Sequence, residues 1–278
     1  MAAQLNGATV LITGASSGIG RCFAQQLAGR AKALILVARR AERLDALKTE
    51  LTAAHPALNV FVQPCDLSNL VAVEKLLQDI APLGTVDVLI NNAGTGYLSL
   101  FEAAEWERMQ ALMVLNVNSV SLLIRRLLPA MVNQGHGGVL NVSSGFGFTY
   151  APGMAAYVAS KHFMTGLTHS LRAELSGTGV AVTQVCPGPV ATEFEQVAGN
   201  FTGMGVPKFL EITPEHCARS GLRAFERGRA EVFPGLTMKF LNVVLALTPR
   251  WVLRWFWVLP ARALRNKQVA LLKGGPPA

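Results

Sequence analysis

Short apolar runs alternate along the chain with longer stretches in which apolar residues recur at helical spacing. The runs are ATVLIT (8–13), ALILVA (33–38), NVFVQP (59–64), VDVLIN (86–91), GVLNVS (138–143), VAVTQVC (180–186) and AEVFP (230–234). Between them, helices are predicted over 18–29, 41–54 and 69–81, within 103–133, and over 154–176. Ser68 is the expected N-cap of the third. Thr213-Pro214-Glu215 reads as an N-cap, a first-turn proline and an early acid, opening a helix to about 227. Strands that are apolar along their whole length, separated by helices, imply a parallel sheet covered on both faces. The expected fold is a doubly wound α/β (Rossmann) sheet of about seven strands over residues 1–234. A helical extension over 235–278 should follow, with the boundary near Pro234-Gly235.

The first strand runs into TGASSGIG (13–20), and its glycines are spaced GxxxGxG. Glycines allow a tight turn and close approach of backbone to a pyrophosphate. The following helix N-terminus adds N–H donors and a positive dipole end. Gly14, Ser16, Ser17, Gly18, Ile19 and Gly20 are therefore expected cofactor contacts. A glycine-rich turn can also be purely structural. The end of the second strand discriminates between cofactors. An acid there would hydrogen-bond the ribose 2′-hydroxyl of NAD. The chain instead has Arg39 and Arg40, which suit a 2′-phosphate. The reading is NADP(H), with Arg39 as the principal contact; a solvated basic helix start is the plainer alternative.

AAYVASKHF (155–163) places Tyr157 four residues before Lys161. On a helix the two share a face, roughly 5–6 Å apart at Cβ. An ammonium so close should favour the phenolate and lower the tyrosine pKa, giving an acid usable near neutral pH. Most such pairs only decorate a helix, so the rest of the chain decides.

In order, the chain carries TGASSGIG, Asp66 in CDL, NNAG (91–94), Asn116 in LNVNS, Ser144 in NVSSG, YVASK (157–161) and PGPVAT (187–192). Over about residues 7–234 this resembles the short-chain dehydrogenase/reductase family. The resemblance implies Tyr157 as proton donor to a substrate carbonyl and Lys161 as the group that lowers its pKa and binds the nicotinamide ribose. It also implies Ser144 as the carbonyl-positioning hydroxyl; the 13-position separation from Tyr157 selects it over Ser143. Asn116 would kink its helix and hold a proton-relaying water. Asp66 and Leu67 would flank the adenine, and Asn92, Ala93 and Gly94 would line the cofactor floor. Pro187, Gly188, Val190 and Thr192 would contact the nicotinamide side. Plainer roles stay open: Asn92 as a strand brace, Pro187-Gly188 as a turn.

Composition narrows the rest. Seven of the 25 Lys and Arg residues fall in 235–278, which has no Asp or Glu; all 17 acids lie before it. Nearly all of the net charge of +8 therefore belongs to the tail, the rest of the chain netting +1, and a nucleic-acid-binding surface is not indicated. Cys22, Cys65, Cys186 and Cys217 form no CxxC, and the five histidines show no metal spacing, so no metal is expected. MAAQLNG lacks the charged and apolar regions of a signal peptide, which makes a cytoplasmic protein the expectation. Substrate contacts should come from 95–99, 146–154 and 193–212. Phe194, Phe201, Met204 and Phe209 in the last suggest a lid over a hydrophobic carbonyl or alcohol, or plain core packing. WVLRWFWVLPARALRNK (251–267) sets tryptophans among arginines. Peripheral contact with an anionic membrane and packing against protein are its two readings. A homo-oligomer is the family's implication. A cofactor-binding scaffold without turnover is the rival to an enzyme.

Overall fold

Every residue of β1 (Thr9–Thr13), β2 (Ala33–Ala38), β4 (Val88–Asn91), β5 (Gly138–Val142) and β6 (Ala181–Val185) is buried in the computed structural model. It describes residues 2–194, 198–199 and 211–272. With β3 (Asn59–Pro64) and β7 (Glu231–Val232), these strands form one seven-stranded sheet. The order is β3-β2-β1-β4-β5-β6-β7, and every pairing is parallel.

Alternation along each strand feeds two cores. Val10, Ile12, Leu34 and Leu36 join Phe23 and Phe225 on one face. Leu11, Ile35, Val37 and Leu89 join Val120, Leu123 and Met131 on the other. Each such side chain, fully buried, contributes about 1.5–3 kcal/mol. This two-sided burial is why the strands read as unbroken apolar runs. The first face is covered by α1 (Gly18–Leu27), α2 (Ala41–Ala54) and α7 (Pro214–Glu226). The second is covered by α3 (Leu70–Ile80), α5 (Ser119–Gln134) and α6 (Ala155–Glu174).

Thr213 caps α7 as expected, its Oγ1 accepting from His216 N at 3.2 Å. The cap of α3 is one residue later than expected. Asn69 Oδ1 accepts from Val71 N and Ala72 N. Ser68 is engaged elsewhere, donating from N and Oγ to Asp66 Oδ1 at 3.0 and 2.7 Å.

A continuous helical run joins α4 (Trp106–Met113) to α5 through a π-helical segment, Val114–Asn118. Trp106–Gln134 is the one helix among the described residues long and apolar enough to cross a membrane. Here Val120, Leu123, Ile124 and Met131 are spent on the second core.

The extension forms α8 (Leu236–Leu247) and α9 (Arg250–Leu272). The described part of α9 returns to the loops around 98–102 and 153. Gln268 accepts from Leu100 N at 2.7 Å and donates to Ser99 Oγ at 3.0 Å, and Arg265 pairs with Glu102 at 2.7 Å. Leu264 packs over Gly153, beside Leu98.

Candidate active site

The sheet order reverses between β1 and β4, and the crevice at such a switch point is where ligands bind in this architecture. Thr13 closes β1 and ties the two strand ends together. Its Oγ1 accepts from Asn92 N at 2.9 Å and Ala93 N at 3.0 Å, and donates to Ile90 O at 3.3 Å. Asn92 Nδ2 donates to Thr13 O and Gly14 O. Asn92 thus occupies the bracing role that its position allowed.

The glycine loop leads straight into α1. Gly18 has φ +51°, a conformation that side chains rarely tolerate. A Cβ on Gly20 would lie 2.2 Å from Gly14 O and 2.5 Å from Asn92 Nδ2. Loop, helix and the Asn92 brace therefore close up only because residue 20 is glycine. Ser17 is at the N-cap of α1 without capping it. Its Oγ accepts instead from Arg40 Nη2 at 3.0 Å, and Ser16 Oγ from the same nitrogen at 3.3 Å. Arg40, more than Arg39, is thus drawn onto the loop. Arg39 is exposed and acts on Asp66. Burial raises the Asp66 carboxyl, but bonds from Ser68 and the Arg39 charge hold it below its ordinary value. Leu67 packs into the second core. The helix N-terminus, the two serines and the arginines fit the phosphates of a dinucleotide.

Asn116 lies within the π-helical segment, so the expected local distortion is present. Its Oδ1 accepts from Thr95 N, and its Nδ2 donates to Thr95 O at 2.9 Å and Ser160 Oγ at 3.1 Å. Ser160 in turn donates to Tyr157 O at 2.7 Å. Asn116 is thereby linked to the helix turn that carries Tyr157. Gly94 faces both Asn116 and Lys161; a Cβ there would lie 3.4 Å from Asn116 Oδ1 and 3.7 Å from Lys161 Nζ.

Tyr157 is 6% exposed, Lys161 5% and Ser144 8%. Lys161 Nζ donates to Val142 O at 3.0 Å and lies 5.7 Å from the Tyr157 ring centroid. Burial drives the phenol up to about 12, against a hydrogen bond with Ser144 that lowers it. Burial also brings the lysine down to about 8. The expected lowering of the tyrosine pKa is therefore reversed in this state. Desolvation of the phenolate outweighs an ammonium that is itself desolvated and bound to a carbonyl.

Phe146 meets the Tyr157 ring edge-on at 6.2 Å, and Phe194 is tilted against it at 5.6 Å. Gly145 N donates to Pro187 O at 2.9 Å, joining the serine loop to PGPVAT. Val190 bridges to Ile212, and Thr192 Cγ2 abuts Gly18. Met238 of α8 fills the space beside Gly188, where a Cβ would lie 2.5 Å from its sulfur; Asn242 is also near Gly145. Phe201, Met204 and Phe209 lie outside the described residues.

Sequence reasoning missed several contributors. Ser160 sits inside YVASK, three positions after Tyr157, and so was open to discovery. Arg43 and Glu193 form an ion pair at 2.7 Å across 150 positions, with no local signal. Met238 belongs to a stretch that reads as a tail.

The short chain dehydrogenase family profile matches residues 8–201. An uncharacterized oxidoreductase of Myxococcus xanthus is 38% identical over 236 residues, covering 84% of this chain and 89% of its own. A fatty acyl-CoA reductase of Mycobacterium tuberculosis is 32% identical, covering 90% of this chain and 83% of its own. A solved short-chain dehydrogenase from Sphingobium yanoikuyae, in complex with NADPH, superposes with a TM-score of 0.76. It is 30% identical, and the match covers 85% of this chain and 92% of that one. The parallel sheet with its switch-point glycine loop, the ordered motifs and these matches together make the chain a member of the short-chain dehydrogenase family of oxidoreductases.

Proposed function

We propose that the protein is an NADP(H)-dependent oxidoreductase that interconverts a carbonyl and a secondary alcohol on a hydrophobic substrate. One observation carries this reading. Tyr157, Ser144, Lys161 and Asn116 are buried together at the C-terminal end of the sheet, beside the glycine loop. Residues 1–234 would carry the chemistry, with 235–278 as a C-terminal extension whose Met238 packs beside the site.

A bound NADPH supplies the hydride. The protein's own contribution is protonation and positioning. Tyr157 stays protonated through the physiological range, since burial drives its pKa to about 12; that is the form needed to protonate a carbonyl oxygen during reduction. Ser144 Oγ, close enough to Tyr157 to lower its pKa, would donate to the same oxygen and stabilise charge developing there. Lys161 would hold the nicotinamide ribose. Asn116, through Thr95 and Ser160, fixes the turn that presents the phenol. On the cofactor side, Arg40 is pre-positioned on Ser16 and Ser17 for a 2′-phosphate, with Arg39 beside it. The NADPH complex of the Sphingobium relative supports this choice.

Phe146, Phe194 and Met238 around the serine and tyrosine support a hydrophobic substrate of the fatty acyl, sterol-like or bulky aromatic class. The test is NADPH consumption with a panel of apolar ketones and aldehydes. Steady turnover on at least one is expected. Tight NADPH binding with no turnover across the panel would leave only a cofactor-binding scaffold.

The extension supports peripheral contact with an anionic membrane. α8 exposes Leu236, Phe240, Val243 and Leu247; α9 exposes Trp251, Trp255, Phe256 and Leu259. Leu236 is 87% exposed and Trp255 76%. This apolar surface lies in the segment with no acidic residue, a combination that suits an anionic bilayer surface. The inner faces, through Met238, Leu253 and Leu264, are packed on the protein, which supports the protein-packing reading for that side of the tail. α9 also lies across α6. Val158 and Ala159 line one wall of a groove of about 660 Å³, and Trp257 and Ala261 the other. A homo-oligomer through the long helices would have to accommodate the extension, which covers part of α6.

A further inference from the structure

The residue that follows PGPVAT makes an unusual set of contacts. Glu193 Oε2 is 2.9 Å from Arg40 Nη1, and its Oε1 is 2.7 Å from Arg43 Nη1. The other terminal nitrogen of Arg40 is the one held by Ser16 and Ser17. One guanidinium therefore bridges the glycine loop and the Glu193 carboxylate. The neighbours of Glu193 are also engaged. Thr192 Cγ2 abuts Gly18 at the start of α1, and Phe194 is tilted on the Tyr157 ring at 5.6 Å. Three consecutive residues thus touch the phosphate loop, the arginines and the proton donor.

We propose that Glu193 is an internal counter-anion of the 2′-phosphate pocket and a determinant of cofactor discrimination. The proposal rests on the NADP(H) reading above and adds a residue to it. A carboxylate and a phosphate dianion cannot both hold Arg40 without like-charge repulsion in a shared site. A nucleotide with a 2′-phosphate must displace Glu193 from Arg40. One with a bare ribose 2′-hydroxyl carries no charge to compete for it. Glu193 therefore subtracts from NADPH affinity and leaves NADH affinity nearly unchanged.

The experiment is direct measurement of NADPH and NADH dissociation constants by calorimetry, on the wild type and Glu193→Gln. Glutamine keeps the shape of the side chain and removes its charge, and the site is solvent-accessible, so the fold is retained. The loss of one exposed ion pair of this type predicts NADPH binding tighter by about two- to fivefold in the variant, with NADH unchanged within error. Glu193→Ala should tighten NADPH in the same direction. Weaker or unchanged NADPH binding in Glu193→Gln overturns the proposal, as does an equal change for both nucleotides. A wild type that binds neither nucleotide overturns the cofactor reading itself, and this inference with it.

Discussion

The Lys161 ammonium lies 5.7 Å from the centroid of the Tyr157 ring and donates to Val142 O at 3.0 Å. Both side chains are almost completely buried, and burial moves their ionisation in opposite directions. The lysine falls from 10.5 to about 8, and the tyrosine rises from 10.0 to about 12. Each group is pushed toward its neutral form.

Stability should record the lysine. Below pH 8 both the folded and unfolded chains keep it charged, and the folded chain bears the full desolvation penalty. Between about 8 and 10.5 the folded chain releases the proton while the unfolded chain retains it. Stability contributed at this site therefore rises across that window. Tyr157 acts later and oppositely, its contribution being lost as pH rises from 10 toward 12. Thermal melts of wild type and Lys161→Met between pH 7 and 9.5 check this. The wild type should gain on the variant above pH 8; parallel curves would show that Lys161 carries no buried charge.

The arginines should govern the choice of nucleotide. Arg39→Asp replaces a cation at the end of β2 with an acid of the type that recognises a 2′-hydroxyl. NADPH binding should weaken by about tenfold or more, the worth of one charge-assisted pair, with NADH weakened far less. Arg40→Ala should show the same asymmetry and also release Ser16 and Ser17. Equal losses for both nucleotides would remove these residues from the 2′-phosphate site.

Gly20 should accept no side chain. A methyl group would sit 2.2 Å from Gly14 O, and backbone cannot retreat as a flexible side chain can. Gly20→Ala should cost about 1–3 kcal/mol of stability. It should also weaken dinucleotide binding, because the loop and α1 must separate. Denaturant melts check the first effect and nucleotide titration the second. A fully stable variant with normal binding would contradict the packing described.

The exposed tryptophans should report the membrane. Trp251→Ser with Trp255→Ser leaves the buried inner face of α9 intact. Sedimentation with vesicles containing anionic lipid should recover the wild type and lose most of the double variant. Neutral vesicles should recover little of either. Equal recovery of both proteins on anionic vesicles would detach membrane contact from this surface.

How much of this was written in the sequence differs from element to element. The strands were legible because both sheet faces are dry, so ALILVA reads as one apolar run and lies entirely buried. β7 is shorter than its apolar signal, Glu231–Val232 within 230–234, since it is an edge strand that Pro234 terminates. The cap of α3 slipped from Ser68 to Asn69 because Asp66 competes for the serine. The reactive cluster was legible as a set of motifs, but its ionisation was not. Spacing reports that Tyr157 and Lys161 are near, whereas their pKa values depend on burial by distant chain. The contact between Gln268 and Leu100 spans 168 positions, and that between Glu193 and Arg43 spans 150. No local pattern encodes such pairs, so the docking of the extension and the counter-anion emerged only in three dimensions.

The central claim is that the Tyr157 hydroxyl delivers the proton. It is tested most directly by comparing Tyr157→Phe with the wild type on the best apolar ketone, with NADPH binding measured in parallel. The account predicts a kcat lower by about 10²–10⁴-fold, the worth of a positioned general acid, with the NADPH dissociation constant within about twofold. Turnover by the phenylalanine variant equal to that of the wild type would contradict it.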